Sequence, residues 1–379
     1  MRTKDRVHAN LRRHLHPSPR GVLATALTLT LAVTVAVAAG SVDDAKAAGV
    51  RSAERTAVAS GGHAPKNGRI VFSRLDPDTQ RVRLYTVRPN GSGLQVLTAS
   101  PEADDSQADW SPNGRKVAFR RFLNVGEPNE RVDVVVVNRD GTHERNLTQG
   151  SCVGDCLGSE EPAWSPDGRK IAFVRAFGPF SDEGFPATVG LFVMDANGSN
   201  VRQLTQLTPN SGTEDHFPAW SPDGRRIAFL RWNGTVEPPN ASAIYSVRAD
   251  GGQVRLLRRI PPRFPGGGTA DWSPDGRRIL FTTYCFYGGC GGPATGAQLF
   301  TMNPDGGQLR QVTHVAGNAY QPGWSPDGTK IVFTRNRVAD GPSDIFTINA
   351  DGSKLRRLTR AATPDLFADY PDWGPRDTT

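Results

Sequence analysis

The chain lacks the patterns that usually announce catalysis. No G-x-S-x-G stretch occurs, so no serine nucleophile elbow is offered, and no H-E-x-x-H stretch occurs, so that form of helical zinc ligation is excluded. Tyr287-Gly288-Gly289-Cys290-Gly291-Gly292 is glycine-rich but connects two strand-like segments, without the helix that a phosphate cradle needs. Cysteine is sparse, with four in 379 residues, and they fall in two close pairs, Cys152 with Cys156 and Cys285 with Cys290. In an exported chain these read as two local disulfides that pin loops. Zinc ligation is the sharper reading of such spacing, but no neighbouring histidine pair supports it, and no metal or cofactor is expected. The formal charge of +7 is also less than it looks, because residues 1–50 hold seven Lys or Arg against three Asp or Glu. The near-balanced remainder has no basic stripe interleaved with stacking aromatics, so nucleic acid is not an expected partner. The arginines recur singly beside turns, as solvated strand ends.

One long apolar run is present. Residues 1–20 are basic, residues 21–39 are almost wholly Leu, Val, Ala and Thr, and small residues follow. This is the layout of a secretory signal, with cleavage after Ala38 or Ala47. An uncleaved membrane anchor is the rival reading of residues 1–40. Arg12-Arg13 is a weak twin-arginine hint. Residues 41–66, rich in Ala, Ser, Gly and charge with no period, read as a flexible linker.

Residues 67–375 are dominated by repetition. Trp164-Ser165-Pro166-Asp167-Gly168-Arg169-Lys170-Ile171-Ala172-Phe173 recurs, with small changes, from Trp110, Trp220, Trp272 and Trp324, and Trp373-Gly374-Pro375 echoes it near the C-terminus. Pro and Asp suit the central positions of a type I turn and Gly the left-handed residue after it, so each motif predicts a tight hairpin. A second hairpin follows in every unit, as in Leu191-Phe192-Val193-Met194, Asp195-Ala196-Asn197-Gly198 and Val201 to Thr205. Each unit is thus four antiparallel strands. Ile171 and Phe173 on one face and Ala172 and Val174 on the other make both faces apolar, so the sheets are sandwiched in series, as propeller blades are. The first unit lacks a first strand, and Phe367 to Trp373 is a first strand with nothing after it. An open solenoid would leave both ends incomplete. The expected fold is therefore all-β: a six-bladed β-propeller of four-stranded antiparallel blades, closed by the C-terminal strand completing the first blade.

The Trp-Ser-Pro-Asp-Gly units resemble the repeats of TolB-like β-propellers, a branch of the WD-like repeat proteins. The resemblance covers residues 67–375. It implies the fold and is nearly silent on activity. It also implies an exported, envelope-associated chain that binds a protein or peptide segment at the mouth of the central channel. The α/β domain that precedes the propeller in TolB finds no room in residues 1–66, so a role in the Tol system itself is not expected. Both tight turns of a blade lie on one face and all longer connections on the other, so both cysteine pairs belong to the long-loop face. On that face the innermost strands begin with Asp104, Asp105, Glu160, Glu161, Glu214, Asp215, His216 and Asp369, a candidate acidic mouth for a cation or a basic peptide. The plainer alternative is that these carboxylates accept backbone donors of neighbouring blades. Propeller lyases use several channel histidines and here only His216 sits near the channel. Peptidase propellers need a hydrolase domain of about 250 residues. The expectation is a non-enzymatic, monomeric binding scaffold that touches membrane only through its N-terminal segment. The competing reading is a metal-dependent enzyme or carbohydrate-binding module with His216 holding an ion.

Overall fold

A computed structural model describes residues 66–124, 130–180, 186–206, 213–233, 241–260, 269–285, 296–337, 341–360 and 367–376. The signal and linker expectations for residues 1–65 lie outside these residues. Every regular element among them is a strand.

The strands pair in groups of four. The first three strands in the chain are β1 (Asn67–Leu75), β2 (Val82–Val87) and β3 (Gln95–Val96). Then come β4 (Ala103–Trp110), β5 (Lys116–Leu123), β6 (Arg131–Asn138) and β7 (Arg145–Asn146), followed by β8 (Cys156–Trp164), β9 (Lys170–Phe180), β10 (Pro186–Asp195) and β11 (Arg202–Gln203). The fourth group is β12 (Thr213–Trp220), β13 (Arg226–Asn233), β14 (Ala241–Arg248) and β15 (Arg255–Ile260). The fifth is β16 (Ala270–Trp272), β17 (Ile279–Cys285), β18 (Gly296–Met302) and β19 (Arg310–Gln311), and the sixth is β20 (Asn318–Trp324), β21 (Lys330–Asn336), β22 (Ser343–Asn349) and β23 (Arg356–Arg357). The last strand, β24 (Ala368–Pro375), pairs antiparallel with β1, Ile70 opposite Trp373, and supplies the first group's missing strand. Single parallel bridges, Val132 to Gly158 and Val189 to Glu214, connect the second, third and fourth groups.

The repeat motif folds as its chemistry requires. Gly168 donates to the Ser165 carbonyl at 2.8 Å and sits at φ +68°, and Gly114, Gly224, Gly276 and Gly328 repeat that geometry. Ser165 Oγ donates to Asp167 Oδ1 at 2.6 Å and accepts from the Lys170 N–H, which locks the turn from inside.

The core lies between sheets. Separate apolar clusters join consecutive groups: Leu84 with Trp110 and Phe119, Val134 with Trp164 and Phe173, Leu191 with Phe229, Ile244 with Trp272 and Phe281, and Leu299 with Trp324 and Phe333. A further cluster packs Val332 and Ile345 of the sixth group against Ile70, Phe72 and Trp373 of the first. The repeat Phe side chains, Phe72, Phe119, Phe173, Phe229, Phe281 and Phe333, are among the largest fully buried ones. Arg202, Arg310 and Arg356 are exposed, as expected of strand ends, and they also bond between groups. Arg202 Nη1 donates to the Asp250 carbonyl at 2.7 Å, Arg310 Nη2 to Asp351 at 2.8 Å and Arg356 Nη2 to Asn90 at 2.7 Å, each reaching the next group's turn. A guanidinium with several fixed donors suits such carbonyl contacts, which strand spacing alone does not reveal.

Candidate functional site

The innermost strands do not run straight. Three residues before the repeat Trp, Gln107, Glu161, Phe217, Gln321 and Tyr370 take φ between +51° and +54°, and the register slips beside each. Pro162, Pro218, Pro322 and Pro371 follow four of these residues. Proline bars the preceding residue from right-handed helical geometry, and a bulge with a left-handed residue re-aims that residue's side chain. The bulge side chains, with Thr269, line one cavity of about 230 Å³ bordered by all these strands' groups.

Neighbouring bulges hold one another. The side-chain oxygens of Gln107, Glu161 and Gln321 accept the backbone N–H of Glu161 at 3.3 Å, Phe217 at 2.5 Å and Tyr370 at 2.9 Å. A second tier lies one residue before Trp. Asp109 accepts the Trp164 N–H at 2.6 Å, Asp271 the Trp324 N–H at 2.7 Å and Asp372 the Trp110 N–H at 2.8 Å. Left-handed non-glycine backbone costs on the order of 1–3 kcal/mol per residue, and these amide bonds are what over-determine it.

Asp109, Asp271 and Asp372 line the same cavity. Burial raises all three carboxyls against the pull of their N–H bonds. Asp271 reaches about 7, with Asp372 adding repulsion, and Asp372 about 6. Asp109 lies well above the ordinary range through burial first and the Asp372 charge second. The hub is therefore largely protonated at mildly acidic pH and gains charge as pH rises.

Of the expected mouth residues, Glu161 lines this cavity. His216 sits between two carboxylates, Nδ1 to Glu161 Oε1 and Nε2 to Glu214 Oε2, both 3.2 Å. Burial alone would lower its pKa, but Glu161 and Glu214 outweigh it and hold His216 well above 6.5; the side chain keeps 21% of its surface exposed, so desolvation is incomplete. In its protonated form His216 would donate from both nitrogens to these carboxylates. Asp105 and Asp215 are gripped in bidentate pairs by Arg121 at 2.7 and 2.9 Å and Arg231 at 2.6 and 2.7 Å. Those guanidiniums also lie over Phe119 and Tyr245. Asp104 accepts the Val82 N–H at 2.8 Å, Glu160 pairs with Arg120 at 3.0 Å, and Asp369 accepts from Ser343 Oγ at 2.8 Å. Much of the expected acidity is thus spent within the scaffold.

Cys152 and Cys156 form a disulfide between β7 and β8. Cys285 ends β17, and Cys290 lies outside the described residues, so the second expected pair is not described. Sequence reasoning passed over Asp109, Asp271 and Asp372. Their signal was available: Asp immediately before Trp in three units.

Repeated four-stranded antiparallel sheets, packed face to face with their first strands around a common cavity, define a β-propeller chain. The chain matches the model of the TolB beta propeller domain over residues 109–285 and resembles that family there. It is similar to the Tol-Pal system protein TolB of Gluconobacter oxydans, 36% identical over 30% of this chain and 21% of that protein. It is also similar to the uncharacterized peptidase YuxL of Bacillus subtilis, 25% identical over 46% of this chain and 29% of that protein. The chain spans under a third of the length of both these relatives. The crystal structure of TolB from Acinetobacter baumannii superposes with a TM-score of 0.60 at 18% identity, covering 82% of this chain and 67% of that one, a likeness of fold.

Proposed function

We propose that residues 67–375 form a closed six-bladed propeller, exported by the signal or anchor in residues 1–40 and spaced by the linker 41–66, that binds a protein or peptide partner at the cell envelope without a catalytic step. The β24–β1 pairing and the core cluster between the first and sixth groups support closure. The named Tol-Pal relative supports an envelope setting.

The observation that carries the binding reading is the hub cavity. Its wall combines the Tyr370 and Phe217 rings and prolines with Glu161 and the three half-buried aspartates. Apolar walls with a few convergent carboxylates suit a peptide segment presenting a basic or amide group. The long-loop face, with Glu214, His216 and the Cys152–Cys156 loop, is the side of approach. The internal partners of Asp104, Asp105, Glu160, Asp215 and Asp369 narrow the mouth to Glu161, Glu214 and His216.

Photo-crosslinking tests this. p-Benzoylphenylalanine replaces Tyr370 in the hub or, separately, Asn197 on the tight-turn face, in protein incubated with native envelope. The 370 variant is expected to give a discrete crosslinked protein and the 197 variant none. Crosslinking only at 197, or at neither position, contradicts the reading.

A further inference from the structure

The outer strands are not alike. β3, β7, β11, β19 and β23 each end after two residues. Every one is followed by an apolar residue and a threonine: Thr98, Thr148, Thr205, Thr313 and Thr359. Their Oγ1 atoms accept the N–H of Leu84 at 3.1 Å, Val134 at 2.9 Å, Leu191 at 3.0 Å, Leu299 at 2.9 Å and Ile345 at 2.9 Å. A hydroxyl standing where a main-chain carbonyl would pair ends the ladder early. Short outer strands are one way a sheet avoids pairing with other chains.

The fourth group departs from this rule at one residue. Arg258 stands where the other units have threonine. A guanidinium has no acceptor, so the cap is lost. The ladder instead continues: β15 bulges at Leu257 and pairs Arg258 with Ile244, Arg259 with Ala243 and Ile260 with Ser242. The result is a six-residue outer strand with β14 as its neighbour on one side. At about 3.4 Å per residue its edge, unpaired among the described residues, runs roughly 20 Å and offers alternate outward N–H and C=O groups.

The edge has a defined chemistry. Arg255 and Arg259 are exposed, as are Val254 (42%) and Leu256 (38%). Arg258 is committed inward, donating to the Gly306 carbonyl at 3.0 Å. From Gln253 through Pro265 the sequence holds no Asp or Glu. We infer that β15 is a docking edge at which an extended acidic segment of a partner protein adds as a fifth strand. Main-chain bonds would give the strand its affinity, and carboxylates opposite Arg255 and Arg259 its selectivity. A second copy of this chain fits poorly, because pairing β15 with itself brings like charges together. Nucleic acid fits poorly too, because β15 carries no aromatic side chain for base stacking. The inference concerns the outer rim and does not rest on the hub reading.

The test uses the whole chain and a labelled, end-blocked eight-residue peptide of Glu and Val in alternating pairs, which carries carboxylates on both faces as Arg255 and Arg259 require across the bulge, followed by fluorescence anisotropy near physiological salt. The Glu peptide should bind, while its Lys counterpart and a version N-methylated at alternate amides should not. Arg255→Glu with Arg259→Glu should reverse the Glu-over-Lys preference by roughly 10-fold or more, and Arg258→Thr, which restores the hydroxyl cap, should weaken the Glu peptide by a similar factor without lowering the thermal midpoint. The inference is overturned if the native chain does not bind the Glu peptide or if the N-methylated peptide binds equally well. It is also overturned if an eight-nucleotide single-stranded DNA binds in its place, or if sedimentation shows a dimer that Arg258→Thr dissolves.

Discussion

Asp109, Asp271 and Asp372 each cap the backbone N–H of the next sheet's tryptophan, and each is held in a wall where a full negative charge is disfavoured. A carboxyl whose pKa is higher in the folded than in the unfolded chain lends stability at low pH and loses it as pH rises through the folded value. His216, also raised, contributes in the same direction, with its share lost at still higher pH. The chain should therefore be more stable at pH 5 than at pH 8. Asp271→Asn keeps an acceptor for Trp324 and removes the charge. From a folded pKa of about 7, it should gain on the order of 2 kcal/mol relative to the native chain between pH 5 and pH 8, read from urea unfolding at both. Parallel pH profiles for the two proteins would refute this. These aspartates were hard to single out from sequence because an Asp before Trp-Ser-Pro reads as a polar strand end. Only its place on the innermost strand makes it a hub residue.

At the scale of elements, the hairpins were legible because turn chemistry is local: Ser, Pro, Asp and Gly each have one favourable place. The bulges were not legible. Pro162, Pro218, Pro322 and Pro371 inside strands argue against strand continuity, yet they accompany left-handed residues that turn Glu161, Phe217, Gln321 and Tyr370 toward the hub. The arginine latches were missed for a related reason, since their acceptors are carbonyls some forty to fifty residues away. The C-terminal strand differs from its five counterparts at Gly374, where the other units carry serine. A Cβ there would lie 2.5 Å from the Trp110 ring. Gly374→Ala should therefore destabilise the chain by about 1–3 kcal/mol, seen as a lower denaturant midpoint with an unchanged slope. Ser165→Ala in an ordinary unit lacks that clash and should lose only a turn hydroxyl, worth about 1 kcal/mol. Equal midpoints for native and Gly374→Ala protein would place β24 differently from the register described.

Across the whole molecule, the same contacts recur between successive groups and then between the sixth and the first. Val332 and Ile345 pack against Ile70 and Trp373, Arg356 reaches the turn at Asn90, and Asn67 bonds Asp327 at 2.8 Å. A hub exists only if these last contacts hold, because an open array would splay its innermost strands and dissolve the cavity. Hydrogen–deuterium exchange of the native chain measures this directly, without substitution. Amides of residues 368–375 are expected to be protected as strongly as those of 116–123 in the second group, and to lose protection in the same cooperative transition. Exchange of 368–375 within seconds while 116–123 stays protected would contradict ring closure and the hub site built on it.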